Sequence, residues 1–488
     1  MLNAVRVRIA PSPSGFLHIG TAKMALMNWL YARQQGGAFI LRLEDTDASR
    51  TEEAFVQAMC DGFTWLGIDW DEGPPFGDEP EKGDFGPYRQ SQRADLHREA
   101  ARRLVESGKA YRCFCTKEVL EREAERATEK GRARYSGICR ALSAEEAEGR
   151  SSEPHVVRFR VPEGRTVIHD LVQGDVESDN REFDDFVILK RNGDPIFHLA
   201  VVVDDAEMKI SHVIRGDDHL TNTFKHVMLF EALGYDLPKF AHLPMVHDEH
   251  GKKYSKRLRG ANVLDWREDG YLPEALVNYV ALLGWNPGDD RELFTRDELV
   301  EAFSIERLGK SPAKFDLKRL QWLNGQHIRM LTDEELLGRV LPILERAGLD
   351  TGARSDEWLA RMMRICKDKL ATLNDIVKFT DFFFVEPTEY EEKPVKKHWR
   401  KDGALERLET IRRVIDEADP WTSEALHEAY EAIATEAGVG LGQFVHPTRL
   451  ALTGKSVGPG LFELAELLGK DACRDRVARA IEYVGTLD

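Results

Sequence analysis

At 488 residues, 42% hydrophobic and 31% charged, the chain is too long for one core and too apolar for wholesale disorder, so two to four domains are expected. Its formal net charge of −17 argues at face value against a nucleic-acid partner, whose phosphates are bound by Lys and Arg. Net charge says nothing of where charges sit, however, and a basic stretch runs from Lys393 to Gly403. Arg6 and Arg8 lead into Pro, Ser and Gly, not into the apolar run of a secretory signal. The longest apolar stretch, Ala275 to Trp285, is too short to cross a bilayer and contains Asn278. Six cysteines spread over the chain fit a reduced compartment. A cytoplasmic protein with no membrane partner is expected.

In chain order, Val5 to Ala10 alternates as a strand, Ala22, Ala25, Leu26, Trp29 and Leu30 fall at helical spacing, and Phe39 to Leu43 reads as a second strand ending in Glu44, Asp45 and Asp47. The rhythm breaks after about residue 110. A charged helix (Lys117 to Lys130) and short strands such as His155 to Val161 read as an insertion. Strand-like runs return at Phe186 to Lys190, Ile196 to Val203 and Ile210 to Arg215, followed by a helix from Thr223 to Leu233. Strands alternating with helices predict a doubly wound parallel sheet. Beyond about Trp322 the strand signals vanish. Helical periods cover Asp333 to Ala347, Glu357 to Asn374, Ala404 to Glu417 and Ser423 to Ala437. The expected fold is α/β: a Rossmann-like, doubly wound parallel sheet in two halves (1–110 and 186–240), an inserted α+β domain (111–185), a connecting domain (241–325) and an all-α C-terminal region (326–488).

Two elements carry chemistry. Pro11 to Thr21, PSPSGFLHIGT, occupies the turn after the first strand, where α/β sheets bind phosphates. Gly15 and Gly20 allow close backbone approach there, and His18 can donate to a phosphoryl oxygen. Alone, it would read as a plain turn with a solvent-facing histidine. Lys253 to Arg257, KYSKR, lies between Gly251 and Gly260. Lys256 can meet the charge on a departing diphosphate, and Ser255 offers a hydroxyl. By itself that segment would be solvated surface. Together the two can grip a triphosphate from opposite sides.

The first element resembles the H-I-G-H turn of class I aminoacyl-tRNA synthetases, and KYSKR resembles their second, K-M-S-K-S-type loop. With LRLEDTD, GPYRQSQR, HLAVVVDDAEMKISHVIRGDDHLTNT and DGYLPEALVNYVALLGW, the chain resembles the bacterial glutamyl-tRNA synthetases over essentially its whole length. The resemblance implies ATP-dependent activation of L-glutamate and its transfer to tRNA(Glu), with magnesium entering with ATP, by a monomer. It implies catalytic roles for His18, Lys256 and Ser255. ATP would be bound by Pro11, Gly15, His18, Gly20, Thr21, Lys253, Lys256 and Arg257. Glutamate would be bound by Arg8, Ala10, Ser12, Glu44, Phe197, Val201 and Arg215, arginines suiting carboxylates and Glu44 the ammonium. It also implies that the insertion binds the tRNA acceptor end, the connecting domain the stem and the helical region the anticodon. Thr21 stands where the general class turn has His.

One departure is Phe197, where most of that family has Tyr; a phenol donates to a carboxylate and a phenyl ring does not. Cys113, Cys115, Tyr135 and Cys139 resemble a zinc site of some members, although Ala141 stands where one form has a histidine ligand. Lys367 and Lys369, in the stretch associated with tRNA choice, leave tRNA(Gln) open as a second substrate. A queuosine-glutamylating relative would lack the helical region, and a silent tRNA-binding paralogue would lack the motifs. His247 to His250, Gly454 to Ser456 and Gly438 to Gly442 read as a polar turn, a glycine-poor mimic of a phosphate loop and a helix connector.

Overall fold

The computed structural model describes residues 4–13, 15–46, 53–128, 135, 137–248, 250–251 and 262–487. The chain divides into two compact units, Met1–Trp266 with Leu276–Asp316, and Arg267–Ala275 with Leu317–Asp488.

The first unit opens with strand β1 (Arg6–Ile9), helix α1 (Ile19–Gln34) and strand β2 (Ala38–Leu41). Helices α2 (Glu53–Leu66) and α3 (Ala94–Glu106) follow. The inserted segment holds β3 (Ala110–Cys113), α4 (Lys117–Thr128), α5 (Ala144–Gly149), β4 (Val156–Phe159), β5 (Arg165–Asp170) and β6 (Gly174–Asp179). After β7 (Val187–Leu189) come α6 (Phe197–Glu207), β8 (His212–Gly216), α7 (Leu220–Leu233) and β9 (Lys239–Leu243).

β1 and β2 pair in parallel from Arg6↔Ala38 to Ile9↔Leu41, with α1 as their crossover. β8 and β9 repeat the pattern across α7, from His212↔Lys239 to Gly216↔Leu243. The two pairs meet at Ser211, whose N–H donates to the Arg6 carbonyl at 2.9 Å while its hydroxyl oxygen accepts from the Arg6 N–H at 2.8 Å. The sheets are mixed. β5 runs parallel to β9 and antiparallel to β6, and β3, β4 and β7 form an antiparallel sheet.

Two expectations are corrected. Ile196 to Val203 is not a strand but the start of α6. Leu199 to Val203 are at most 2% exposed, because this helix packs against both α3 and α7. A helix buried all round has no polar face to reveal its period, and three consecutive valines bias the reading toward a strand. Glu357 to Asn374 is also not one helix. It runs from Asp356 to Cys366, passes through a 3-10 turn, and stops before Thr372, which forms a capping box with Asp375 around a second 3-10 turn, Leu373–Asp375, that leads into the helix Ile376–Phe384.

The second unit, among its described residues, contains helices and no strand. Its core runs through Leu336, Val340, Met362, Ile376, Leu408, Leu450 and Val477.

Candidate active site

A cavity of about 500 Å³ opens at the carboxyl ends of β1 and β8, where ligands of open α/β sheets bind. Arg8, Ile9, Ala10 and Pro11 form one side, and Ile214, Arg215 and Gly216 another. His18, Gly20 and Thr21 at the start of α1, together with Glu44, Phe197 and Val201, line it too; these and Arg8, Ala10, Pro11 and Arg215 are the lining residues anticipated from sequence. Ile9, Met24, Ile214, Gly216, Asp218, His219 and Met245 also line it and were not anticipated.

His18 caps α1 in extended conformation (φ −99°, ψ 161°). Its Nδ1 accepts from the Thr21 N–H at 3.2 Å, which leaves the proton of the neutral ring on Nε2, 3.0 Å from the Thr21 hydroxyl. Gly20 permits this pose. A Cβ there would sit 3.1 Å from the imidazole, so a side chain would push the ring aside. The N–H groups opening a 16-residue helix add positive potential beside it.

The charged floor is a network around Asp205, a residue of α6 that is 2% exposed. Both of its carboxylate oxygens accept from Arg8, through Nε and Nη2, at 3.1 Å. Oδ1 also accepts from Arg42 Nη1 at 2.6 Å, and Arg42 Nη2 reaches Glu44 at 3.5 Å. Burial pushes the Glu44 carboxyl up, against the pull of Arg42 and Arg8. Burial also works against the Asp205 carboxylate, but the two arginines win and hold its pKa below the ordinary value. Next along the chain, Asp204 accepts from Arg93, Gln90 and His97 at 2.6–2.8 Å.

Arg215 differs from these arginines. Among the described residues its hydrogen bonds go only to neutral groups: His242, Thr223, His226 and the His219 carbonyl. Burial, then the nearby Arg8 charge, depress its pKa. A buried guanidinium whose hydrogen bonds go to neutral groups, facing a cavity, suits a carboxylate ligand. His219 is pushed down to about 4 by burial and by Arg215, so it lines the cavity as a neutral ring.

Residues 4–322 match the family model described as tRNA synthetases class I (E and Q), catalytic domain, and residues 335–481 match that of an anticodon binding domain. Over 488 residues the chain is 42% identical to "Glutamate--tRNA ligase 1" of Caldanaerobacter subterraneus subsp. tengcongensis, with 99% of each chain covered. The chain belongs to the glutamate–tRNA ligases. It is also 43% identical over 486 residues to "Glutamate--tRNA ligase 2" of Rubrobacter xylanophilus, covering 98% of this chain and 97% of the relative. A crystal structure of a glutamate tRNA ligase from Elizabethkingia meningosepticum in complex with its amino acid aligns with TM-score 0.89 at 32% identity, covering 99% of this chain and 100% of that one.

Several anticipated residues fall elsewhere. Ser12 is exposed and Gly15 half-buried, and neither is among the cavity's described lining. Lys253, Ser255, Lys256 and Arg257 lie outside the described residues. Lys455, in the phosphate-loop mimic, is taken up by Asp381 at 2.5 Å and the Lys378 carbonyl at 3.0 Å.

Away from the cavity, Cys113, Cys115 and Cys139 are buried with their sulfurs within 4.8 Å of one another. The Tyr135 hydroxyl lies 3.1 Å from Cys113 Sγ and 3.9 Å from Cys115 Sγ, and Cys115 and Cys139 are 3.6 Å apart. Tetrahedral zinc with Zn–S bonds of about 2.3 Å spaces its sulfurs about 3.8 Å apart, so the donor set fits that ion. Burial opposes the Cys113 thiolate, yet the Tyr135 hydroxyl and the Arg158 charge pull that thiol below its ordinary value. Cys115 is pushed up to about 12 by burial and then by Cys113.

Proposed function

We infer that the chain joins L-glutamate to tRNA(Glu) at the expense of ATP. The glutamate α-carboxylate attacks the α-phosphorus of ATP and expels diphosphate. The terminal adenosine of tRNA then takes the glutamyl group from the adenylate and releases AMP. The observation that carries this reading is the cavity in which the His18 end of α1 faces Arg8, Glu44 and Arg215, within a chain alike over its full length to enzymes named for this reaction.

Catalysis of this kind is positioning plus charge neutralisation, with no covalent enzyme intermediate. His18 serves the α-phosphate, with Pro11, Gly15, Gly20 and Thr21 around the nucleotide. Lys253, Lys256 and Arg257 meet the leaving diphosphate, assisted by Ser255. Arg8 and Arg215 take the carboxylates of glutamate, Glu44 and Ser12 its ammonium, and Ala10, Phe197 and Val201 form the wall. Magnesium comes with ATP, held mostly by phosphates and water. Zinc, held by Cys113, Cys115, Cys139 and Tyr135, would brace the inserted domain. The segments 111–185, 241–325 and 326–488 engage the acceptor end, stem and anticodon of tRNA. Exposed Lys393, Lys397, Arg400 and Lys401 support this by offering cations that the net charge conceals. The enzyme works as a cytoplasmic monomer.

The test is ATP–diphosphate exchange with tRNA present, followed by glutamylation of purified tRNA(Glu) and tRNA(Gln) side by side. Exchange that depends on glutamate supports the reading, and its absence refutes it. Charging of both tRNAs would establish the broader specificity that Lys367 and Lys369 leave open.

A further inference from the structure

Arg215 is held by a buried relay of neutral groups that ends on one carboxylate. Asp170 closes β5 and is 5% exposed, and His242 in β9 is fully buried. Asp170 Oδ2 lies 2.6 Å from His242 Nδ1. Oδ1 accepts from the backbone N–H groups of Val172 at 2.9 Å and Gln173 at 2.8 Å. The His242 N–H also points at this carboxylate, 3.1 Å from Oδ2. An ionised carboxylate only accepts, so Nδ1 carries the imidazole proton and Nε2 presents a lone pair. That lone pair faces Arg215 Nε at 3.3 Å and the Thr223 hydroxyl at 2.8 Å. The Thr223 oxygen in turn accepts from Arg215 Nη2 at 2.6 Å.

On the other flank, Arg215 Nη2 lies 3.3 Å from His226 Nδ1, whose ring continues through Nε2 to His198 Nδ1 at 3.2 Å. Nε and Nη2 of Arg215 are therefore engaged. Nη1 makes no hydrogen bond among the described residues, and the side chain lines the cavity.

We propose that Asp170 and His242 are positioning residues for Arg215, fixing the guanidinium by an acceptor that carries no charge. This rests on the glutamate-ligating reading of the cavity. Arg8 and Arg42 share the charge of Asp205, whereas a neutral imidazole orients Arg215 and leaves its charge for a substrate carboxylate. Asp170 is needed because a histidine without it can move its proton to Nε2, setting donor against donor at Arg215. Burial is the largest influence on both groups: it lowers His242, while for Asp170 the His242 hydrogen bond and backbone amides outweigh it, keeping the carboxyl ionised beside a neutral ring.

The experiment measures KM for glutamate, KM for ATP and kcat in tRNA-supplemented exchange for wild type, His242→Leu, His242→Gln and Asp170→Asn, with a thermal melt of each. His242→Leu strands the hydrogen bonds of a charged group and is expected to raise KM for glutamate about 10- to 100-fold. KM for ATP should stay within about twofold, since Arg215 is the one residue assigned to glutamate or ATP that the relay touches among the described residues. His242→Gln restores an acceptor and is expected to recover most of the loss. Asp170→Asn should fall between them. The near-isosteric Gln and Asn variants decide the matter if His242→Leu does not fold. Folded variants with unchanged KM for glutamate, or with both KM values rising together, overturn the proposal. Wild type without glutamate-dependent exchange overturns the functional reading itself, whereas active wild type with indistinguishable variants overturns the positioning alone.

Discussion

Replacing Asp205 with alanine tests how the cavity floor is built. Asp205 is 2% exposed, Arg8 4% and Arg42 fully buried, and one carboxylate serves both cations. Removing one partner of a buried ion pair leaves an uncompensated charge and costs about 3–5 kcal/mol. At about 2 °C per kcal/mol, the lower end for large domains, the affected unit should melt about 6–10 °C earlier. That transition can be recognised as the one that glutamate and ATP raise in the wild type. Arg8 would lose its bidentate anchor, so KM for glutamate should rise about tenfold or more while KM for ATP changes little. The same logic has a pH arm. Asp205 titrates below its unfolded value of about 3.9, so its stabilisation is complete above that pH and is lost as pH falls through the depressed native value. Asp205→Ala should therefore show a shallower acid destabilisation than wild type. A melt within about 2 °C of wild type, with unaltered KM for glutamate, would refute the claim that this carboxylate organises the two arginines.

Three other outcomes are expected. Lys256→Ala should slow exchange about 10²- to 10³-fold, the usual loss for a group stabilising developing charge, and a change below about fivefold would remove Lys256 from the diphosphate site. Gly20→Ala places a Cβ 3.1 Å from the His18 ring and should lower kcat at least about tenfold through misplacement of that ring, an expectation that wild-type kcat would disprove. Metal analysis of purified protein should find zinc that Cys139→Ser loses along with thermal stability; equal zinc in both would exclude the thiol cluster as its ligand set.

The sequence by itself determined the elements whose physics is local. The alternation of Val5 to Ala10, the glycine-containing turn and the helical period from Ala22 place a phosphate-type turn after β1, because strand pleat, turn chemistry and helix capping all act within a few residues. His18 and Gly20 were readable for the same reason, whereas Arg8 was named only through the resemblance. Cys113, Cys115 and Cys139 were grouped through the resemblance, and these side chains do meet.

The charge pairing was not readable. Asp204 and Asp205 follow an apolar run and look like the polar end of a strand, yet both are buried. Asp205 meets Arg8, 197 positions away, and Arg42, 163 positions away. Likewise, nothing in the apolar run FAHLP signals that His242 accepts from Arg215 while Asp170, 72 positions away, sets its tautomer. Periodicity reports which face of an element leaves water. Which charge is desolvated beside which depends on segments that only folding brings together, and tertiary structure decided that one arginine shares a buried carboxylate while another rests on neutral rings facing the cavity.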